Sequence, residues 1–247
     1  MVNVLANRLE IDMEGSRLVI EKLRPGFVIA EAGTCHASPD VDLRISQAYR
    51  YVYEAGKAGA DAIKFQLFNN PIRKDMFCWM DGDEAREQRW LDSCLPCHVW
   101  YSIKKFAEDG GLIFLASVFQ FSTARWLSEL GCKATKVASR AAKNFPYSLA
   151  PGPFFVSTGM YETQPIKGHN LLMECESVYP STREWTGAMP GFSDHSGTPD
   201  RAIDAIRRGC KLVEVHFFIE ECDAGPDLKA SLNLDELKQV CTARNTL

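Results

Sequence analysis

The chain lacks any apolar window approaching the roughly 20 residues that a membrane span needs. Its N-terminus, MVNVLANRLEIDMEG, brings acids early and has no apolar core, unlike a secretory signal. A soluble, cytoplasmic protein is the expectation. It also lacks an excess of positive charge: 28 Lys and Arg stand against 32 Asp and Glu, a formal net charge of −4. That argues against a nucleic-acid or membrane-surface binder, while a local basic cleft for a small anion stays open. Nine cysteines are an odd number without a small-domain framework, which reads as reduced thiols packed as small hydrophobes. The cluster Cys94-Leu95-Pro96-Cys97-His98 has no second half at zinc-like spacing. No G-x-G-x-x-G follows the first strand-like run, and histidines number only five.

What is present is a series of short apolar runs in 247 residues that are 46% hydrophobic and 24% charged, enough for one sizeable core. After an expected hairpin around Glu14-Gly15-Ser16 within 1–25, eight runs read as strands: 27–33, 61–68, 111–118, 134–139, 154–158, 171–177, 190–196 and 211–218. They are near-continuous rather than alternating, as strands covered on both faces are. Helical patterns at 41–58, 122–130 and 199–208 separate some of them, with glycines where C-caps belong. Eight strands with intervening helices predict a single-domain (β/α)8 barrel. Pro146, Pro151, Pro153 and Pro165 leave little room for helices late in the chain, so those on one side should be trimmed. A doubly wound sheet is the alternative. The insert 69–98, with Trp79, Trp90 and the acids from Asp81 to Glu84, reads either as a lid on the barrel mouth or as a packed excursion.

In such a barrel the chemistry lies at the C-terminal strand ends. These carry Glu31, Lys64 and Gln66, Ser117, Lys136 and Ser139, Ser157 and Thr158, Ser177, Ser193 with His195, and His216. Lysines inside apolar strands need an anion to neutralise them. Together with several hydroxyls they suit a phosphate or phosphonate group. Two histidines at successive strand ends, 216 − 195 = 21 residues apart, suit a divalent metal, with Asp194, Glu31 and Asp227 as candidate carboxylates.

The segments F-V-I-A-E-A-G-T-C-H, G-A-D-A-I-K-F-Q, K-V-A-S, S-T-G-M, S-V-Y-P, G-F-S-D-H-S, E-V-H-F and G-P-D-L-K-A-S, in that order between Phe27 and Leu237, resemble the sialic acid (N-acetylneuraminate) synthase family. The resemblance implies condensation of phosphoenolpyruvate, as co-substrate, with an N-acetylated aldose, giving a 2-keto sugar acid and phosphate. It implies that Lys64, Ser117, Lys136, Ser139, Ser157 and Ser193 hold phosphoenolpyruvate. It further implies that His195 and His216 bind manganese or magnesium, and that Glu31 and Asp227 act at the reacting centre with Lys64. Gln66, Tyr179 and Lys229 would contact substrate.

The sequence departs from the family pattern on the acceptor side. Arg140-Ala141 stands where Gly and an acid are usual, Val178 where an asparagine is, and Leu228 where a histidine is. Arg140 reads equally as a contact for an acidic acceptor or as a surface arginine, and His36 as an acceptor-pocket or loop-surface residue. The resemblance also implies a C-terminal antifreeze-like domain reaching into a partner's active site, for which these 247 residues leave no room. A homodimer through barrel surfaces is expected. Two rival readings are a metal-assisted aldolase of a substrate without phosphate, and a family member that binds a phosphorylated ligand without catalysis.

Overall fold

The computed structural model describes residues 25–78, 84–160, 170–222 and 225–246. The expected N-terminal hairpin, Trp79 and Asp81 lie outside them. Eight strands run parallel in chain order: β1 (Phe27–Gly33), β2 (Ala62–Leu67), β3 (Ile113–Val118), β4 (Thr135–Val137), β5 (Phe154–Ser157), β6 (Asn170–Cys175), β7 (Gly191–Asp194) and β8 (Leu212–Phe217). Because β8 pairs back onto β1, with Glu31 opposite His216, the sheet closes into a (β/α)8 barrel, which rules out the doubly wound alternative. A two-residue β9 (Ser231–Leu232) adds beside the end of β8.

Helices surround only part of the wall. They are α1 (Val41–Ala58), α2 (Glu84–Ser93), α3 (Cys97–Asp109), α4 (Phe121–Glu129), α5 (Pro199–Arg207) and α6 (Leu234–Ala243). Asp40 starts α1 by accepting from the amides of Asp42 and Leu43, and Gly59 ends it at φ 91°, a conformation that any Cβ would strain. Between β4 and β7 no α-helix occurs among the described residues, only a 3-10 turn at Ser139–Ala141, in keeping with the prolines there. No helix among the described residues is long and apolar enough to cross a membrane. The insert between β2 and α3 is packed. Trp90 of α2 stacks on Phe68 at 5.2 Å and on Phe77 at 5.5 Å, while Arg89 donates to Thr34 Oγ1 at 2.8 Å, on the loop after β1.

The period of two along each strand divides the wall into two apolar layers. One parity, including Val28, Ile63, Phe65, Phe114 and Val213, packs outward against helix residues such as Tyr51, Trp100, Leu127 and Leu237. The other parity meets inside the barrel, where Phe27, Ile29, Ala62, Leu115, Phe155, Leu171, Met173 and Leu212 form a second core made of strand side chains. Gly191 belongs to this inner layer: a Cβ there would lie 2.7 Å from Met173 Cγ and 2.8 Å from Leu171 Cδ2. Gly191→Ala should therefore overpack the interior and lower stability by about 1–3 kcal/mol. Urea unfolding measures this, and an unchanged midpoint would show that the layer can yield.

Candidate active site

Following the inner parity toward the C-terminal strand ends, the side chains change from apolar to polar. After Ile29 comes Glu31; after Ala62, Lys64 and Gln66; after Leu115, Ser117; after Phe155, Ser157. The same step gives Lys136 on β4, Ser193 then His195 on and just past β7, and Glu214 then His216 on β8. With Ser139, Arg140, Ser177 and Tyr179 from the loops, these residues line one small cavity at the barrel mouth.

Its floor is a buried chain of charges. Lys64 Nζ lies 3.1 Å from Glu31 Oε1 and 3.3 Å from Glu214 Oε2, and Lys136 Nζ lies 3.3 Å from Glu214 Oε1. Each lysine also donates to a serine, Lys64 to Ser117 Oγ at 3.0 Å and Lys136 to Ser157 Oγ at 2.7 Å. Ser193 gives its hydrogen to Glu214 at 2.8 Å. Both lysines thus have internal counter-charges, where the sequence reading asked for an external anion. Glu214 was passed over in that reading. Its signal was available: it stands two residues before His216, on the same strand face, as a charge in an otherwise apolar run.

Burial and charge set the protonation of these groups. Desolvation raises the Glu31 carboxyl to about 7, against the pull of Lys64 and with the push of Glu214. For Glu214 desolvation is outweighed by Lys136 and Lys64, which hold it well below the usual carboxylate range. Desolvation and repulsion from Lys64 lower the Lys136 ammonium, whereas Glu214 and Glu31 overcome desolvation to raise Lys64. Ser139 Oγ is buried without a hydrogen-bond partner among the described residues, a donor left for a ligand.

The histidines sit beside this floor with ring centroids 5.4 Å apart. His195 Nδ1 lies 2.6 Å from the Glu176 carbonyl, which can only accept, so the proton is on Nδ1 and the lone pair on Nε2. Nε2 lies 3.3 Å from Ser193 Oγ, and the Tyr179 ring stacks on the imidazole at 4.4 Å. His216 Nδ1 is 3.9 Å from Asp227 Oδ2. Desolvation lowers both imidazoles to about 4, His195 and His216 alike, so both are neutral near pH 7. Neutral imidazoles, one with its tautomer fixed by a carbonyl, have the chemistry of ligands for a divalent ion. Among the described residues no three His, Cys, Asp or Glu groups form a ready cage, so this donor set fits an ion with two imidazoles and open positions.

Asp227 stands at the rim, on a 3-10 turn spanning Gly225–Ala230. Burial raises its pKa, against His195 and Arg89. Gly33, at φ +55° and at a register shift after Glu31, keeps this corner open. A Cβ there would come within 3.6 Å of Asp227 Oδ2, Gln66 Nε2 and Glu31 Oε1 together.

Three expected residues are placed elsewhere. Lys229 is exposed and does not line the cavity, because two residues along a three-per-turn helix turns it away from the Asp227 side. Asp194 has the outward parity of β7, and its Oδ1 accepts from the Ser196 amide at 2.9 Å, so it cannot join the histidines. His36 is neither a pocket nor a surface residue. It is buried edge-on to Phe65 and Trp100, with Nε2 3.0 Å from the Ser93 carbonyl, and burial lowers it to about 4. Arg140, by contrast, lines the cavity.

A spore coat polysaccharide biosynthesis protein of Bacillus subtilis is 29% identical over 90% of this chain and 67% of its own length. An N,N'-diacetyllegionaminic acid synthase of Legionella pneumophila is 27% identical over 87% of this chain and 70% of its own. The crystal structure of an N-acetylneuraminic acid synthetase from Leptospira borgpetersenii shares the fold, with a TM-score of 0.72 at 23% identity, over 90% of this chain and 83% of that one. The NeuB family model matches residues 51–247. The chain belongs to the NeuB family.

Proposed function

We propose that the barrel condenses phosphoenolpyruvate with an aldose of the N-acetylmannosamine type, forming a 2-keto-3-deoxy sugar acid and releasing inorganic phosphate. The observation that carries this reading is the juxtaposition of a buried lysine–serine anion site with two neutral histidines in one barrel mouth. The relatives that are sugar-acid synthases support it.

In this reading Lys64 and Lys136 hold the phosphate, with hydroxyls of Ser117, Ser139, Ser157 and Ser193 as donors. C3 of the enol phosphate forms a bond to the aldehyde carbon, whose oxygen gains a proton and becomes a hydroxyl. Water adds to C2, and the C2–O bond to phosphorus breaks. Glu31, with its pKa near neutrality beside Lys64, is placed to exchange these protons. Asp227, Gln66 and Tyr179 orient the acceptor at the rim. His195 and His216 would hold manganese or magnesium, whose chemistry there is Lewis-acid polarisation of the acceptor carbonyl.

The test is phosphate release from phosphoenolpyruvate with manganese, across a panel of aldoses. Acceptor-dependent release is expected; the absence of both phosphate release and phosphoenolpyruvate binding would overturn the reading. A pH prediction accompanies it. Below about pH 7 Glu31 is protonated, and Glu214 is the carboxylate left facing the floor lysines. Above it Glu31 ionises, engages Lys64 and repels an anion. Phosphoenolpyruvate affinity should therefore weaken as pH rises through 7, with proton uptake on binding, and Glu31→Gln should flatten the profile. Calorimetry in buffers of different ionisation enthalpy measures it, and an unchanged profile in the variant would remove Glu31 from the explanation.

A further inference from the structure

The last ladder pair between β6 and β7 joins Cys175 to Ser193, and from Glu176 the chain leaves the sheet as a loop where a barrel helix would stand. The first residues of that loop close around His195. The Glu176 carbonyl faces Nδ1 at 2.6 Å, the Tyr179 ring stacks on the imidazole, and the Ser181 amide donates to the His195 carbonyl at 2.8 Å. Ser181 links these contacts. Its buried hydroxyl donates to Glu176 Oε2 at 2.6 Å and accepts from the Arg183 amide at 3.0 Å. One residue therefore holds both the backbone of His195 and the residue whose carbonyl fixes its ring. The other tautomer is within reach. His195 Nε2 lies 3.3 Å from Ser193 Oγ, whose hydrogen goes to Glu214, which leaves a lone pair open to an Nε2–H. The Tyr179 hydroxyl is at 3.3 Å as well. An imidazole protonated on Nε2 offers a hydrogen where an ion needs a lone pair.

We propose that Ser181 is a positioning residue that keeps His195 protonated on Nδ1, and so keeps Nε2 open for a divalent ion. This rests on the metal assignment above and adds to it the residue that enforces the tautomer. Without the hydroxyl, Glu176 loses the tether on its side chain, its carbonyl beyond the last ladder pair is freer to turn, and an Nε2–H donated to Ser193 competes. Partners that orient a metal-binding histidine are worth about 10–100-fold in metal affinity, and Ser181, one step further out, should act at the lower end, about 10-fold.

The experiment is nitrogen NMR at neutral pH on metal-free protein carrying isotope-labelled histidine, in which the shifts of the two ring nitrogens report the tautomer. His195→Ala identifies the signals, and calorimetry measures manganese affinity on the same proteins. In the wild type the His195 ring should carry its hydrogen on Nδ1. Ser181→Ala should shift it toward Nε2 and weaken manganese binding about 10-fold. Glu176→Ala, which removes the other end of the same hydrogen bond, should do likewise, and the double variant should be no worse than either single one. Ser181→Thr keeps a hydroxyl and Glu176→Gln keeps an acceptor, so both should stay near the wild type. A tautomer unchanged in the alanine variants would overturn the proposal, as would a shifted tautomer with manganese affinity intact. Should Ser181→Ala fail to fold, Glu176→Ala, at a half-buried position, decides alone. Should the wild type bind no manganese, the two-imidazole reading fails, and the tautomer comparison still decides whether Ser181 positions His195.

Discussion

Glu214→Ala is expected to destabilise the barrel by about 3–5 kcal/mol, the cost of leaving buried charges without their partner. Among the described residues Glu214 is the one carboxylate that touches both floor lysines, at 3.3 Å each, and it also accepts from Ser193. Its removal leaves Lys136, already lowered by desolvation, with no carboxylate among the ion pairs seen at its Nζ. Lys64 keeps Glu31. The response should therefore be asymmetric: Lys136→Met in the Glu214→Ala background should recover part of the stability, because it removes the stranded ammonium, and Lys64→Met should recover less. Equilibrium urea unfolding of the single and double variants measures both effects. A loss below about 1 kcal/mol for Glu214→Ala would mean that water or a shifted proton replaces the carboxylate.

His195→Ala and His216→Ala should each abolish acceptor-dependent phosphate release, by at least about 100-fold, and weaken manganese binding measured by calorimetry. Removing a group that only orients a metal ligand costs about 10–100-fold in affinity or activity, so removing the ligand itself should cost no less. The two imidazoles have different supports. His195 is oriented by the Glu176 carbonyl and the Tyr179 ring, whereas His216 faces Asp227 at 3.9 Å. Both are lowered to about 4, so protonation of the pair should not limit the rate anywhere between pH 5 and 8. Glu31, raised to about 7, is a group that should give a pH limb in that range. Retention of more than a tenth of the wild-type rate in either variant would sink the two-imidazole assignment.

Much of this site was legible because charges inside apolar strands are costly and therefore informative. Lys64 and Lys136 announced themselves in this way, Glu31, His195 and His216 as polar groups at the ends of apolar strands, and the structure brings all five into one cavity. Asp194 misled for the opposite reason: it stands next to His195 in the chain, but adjacent strand residues face opposite sides of the sheet. Lys229 misled because a motif segment carries no record of which way each of its side chains turns. His36 lay in a loop by sequence, yet the packing of Trp100 and Phe65 draws it into the wall between barrel and helices.

The amino-acid order by itself determined the eight strands, the helices on one side and the switch from apolar to polar along the inner face, since all of these follow from local periodicity and from proline. The tertiary structure alone decided which charges meet. Lys64, Lys136 and Glu214 come from β2, β4 and β8, no two of which are neighbours in the sheet. Only closure of the barrel, with β8 paired to β1, brings Glu214 within reach of both lysines. A carboxylate's partners across a closed interior depend on strand stagger and curvature, and these arise from the packing of the whole inner layer rather than from any segment of it.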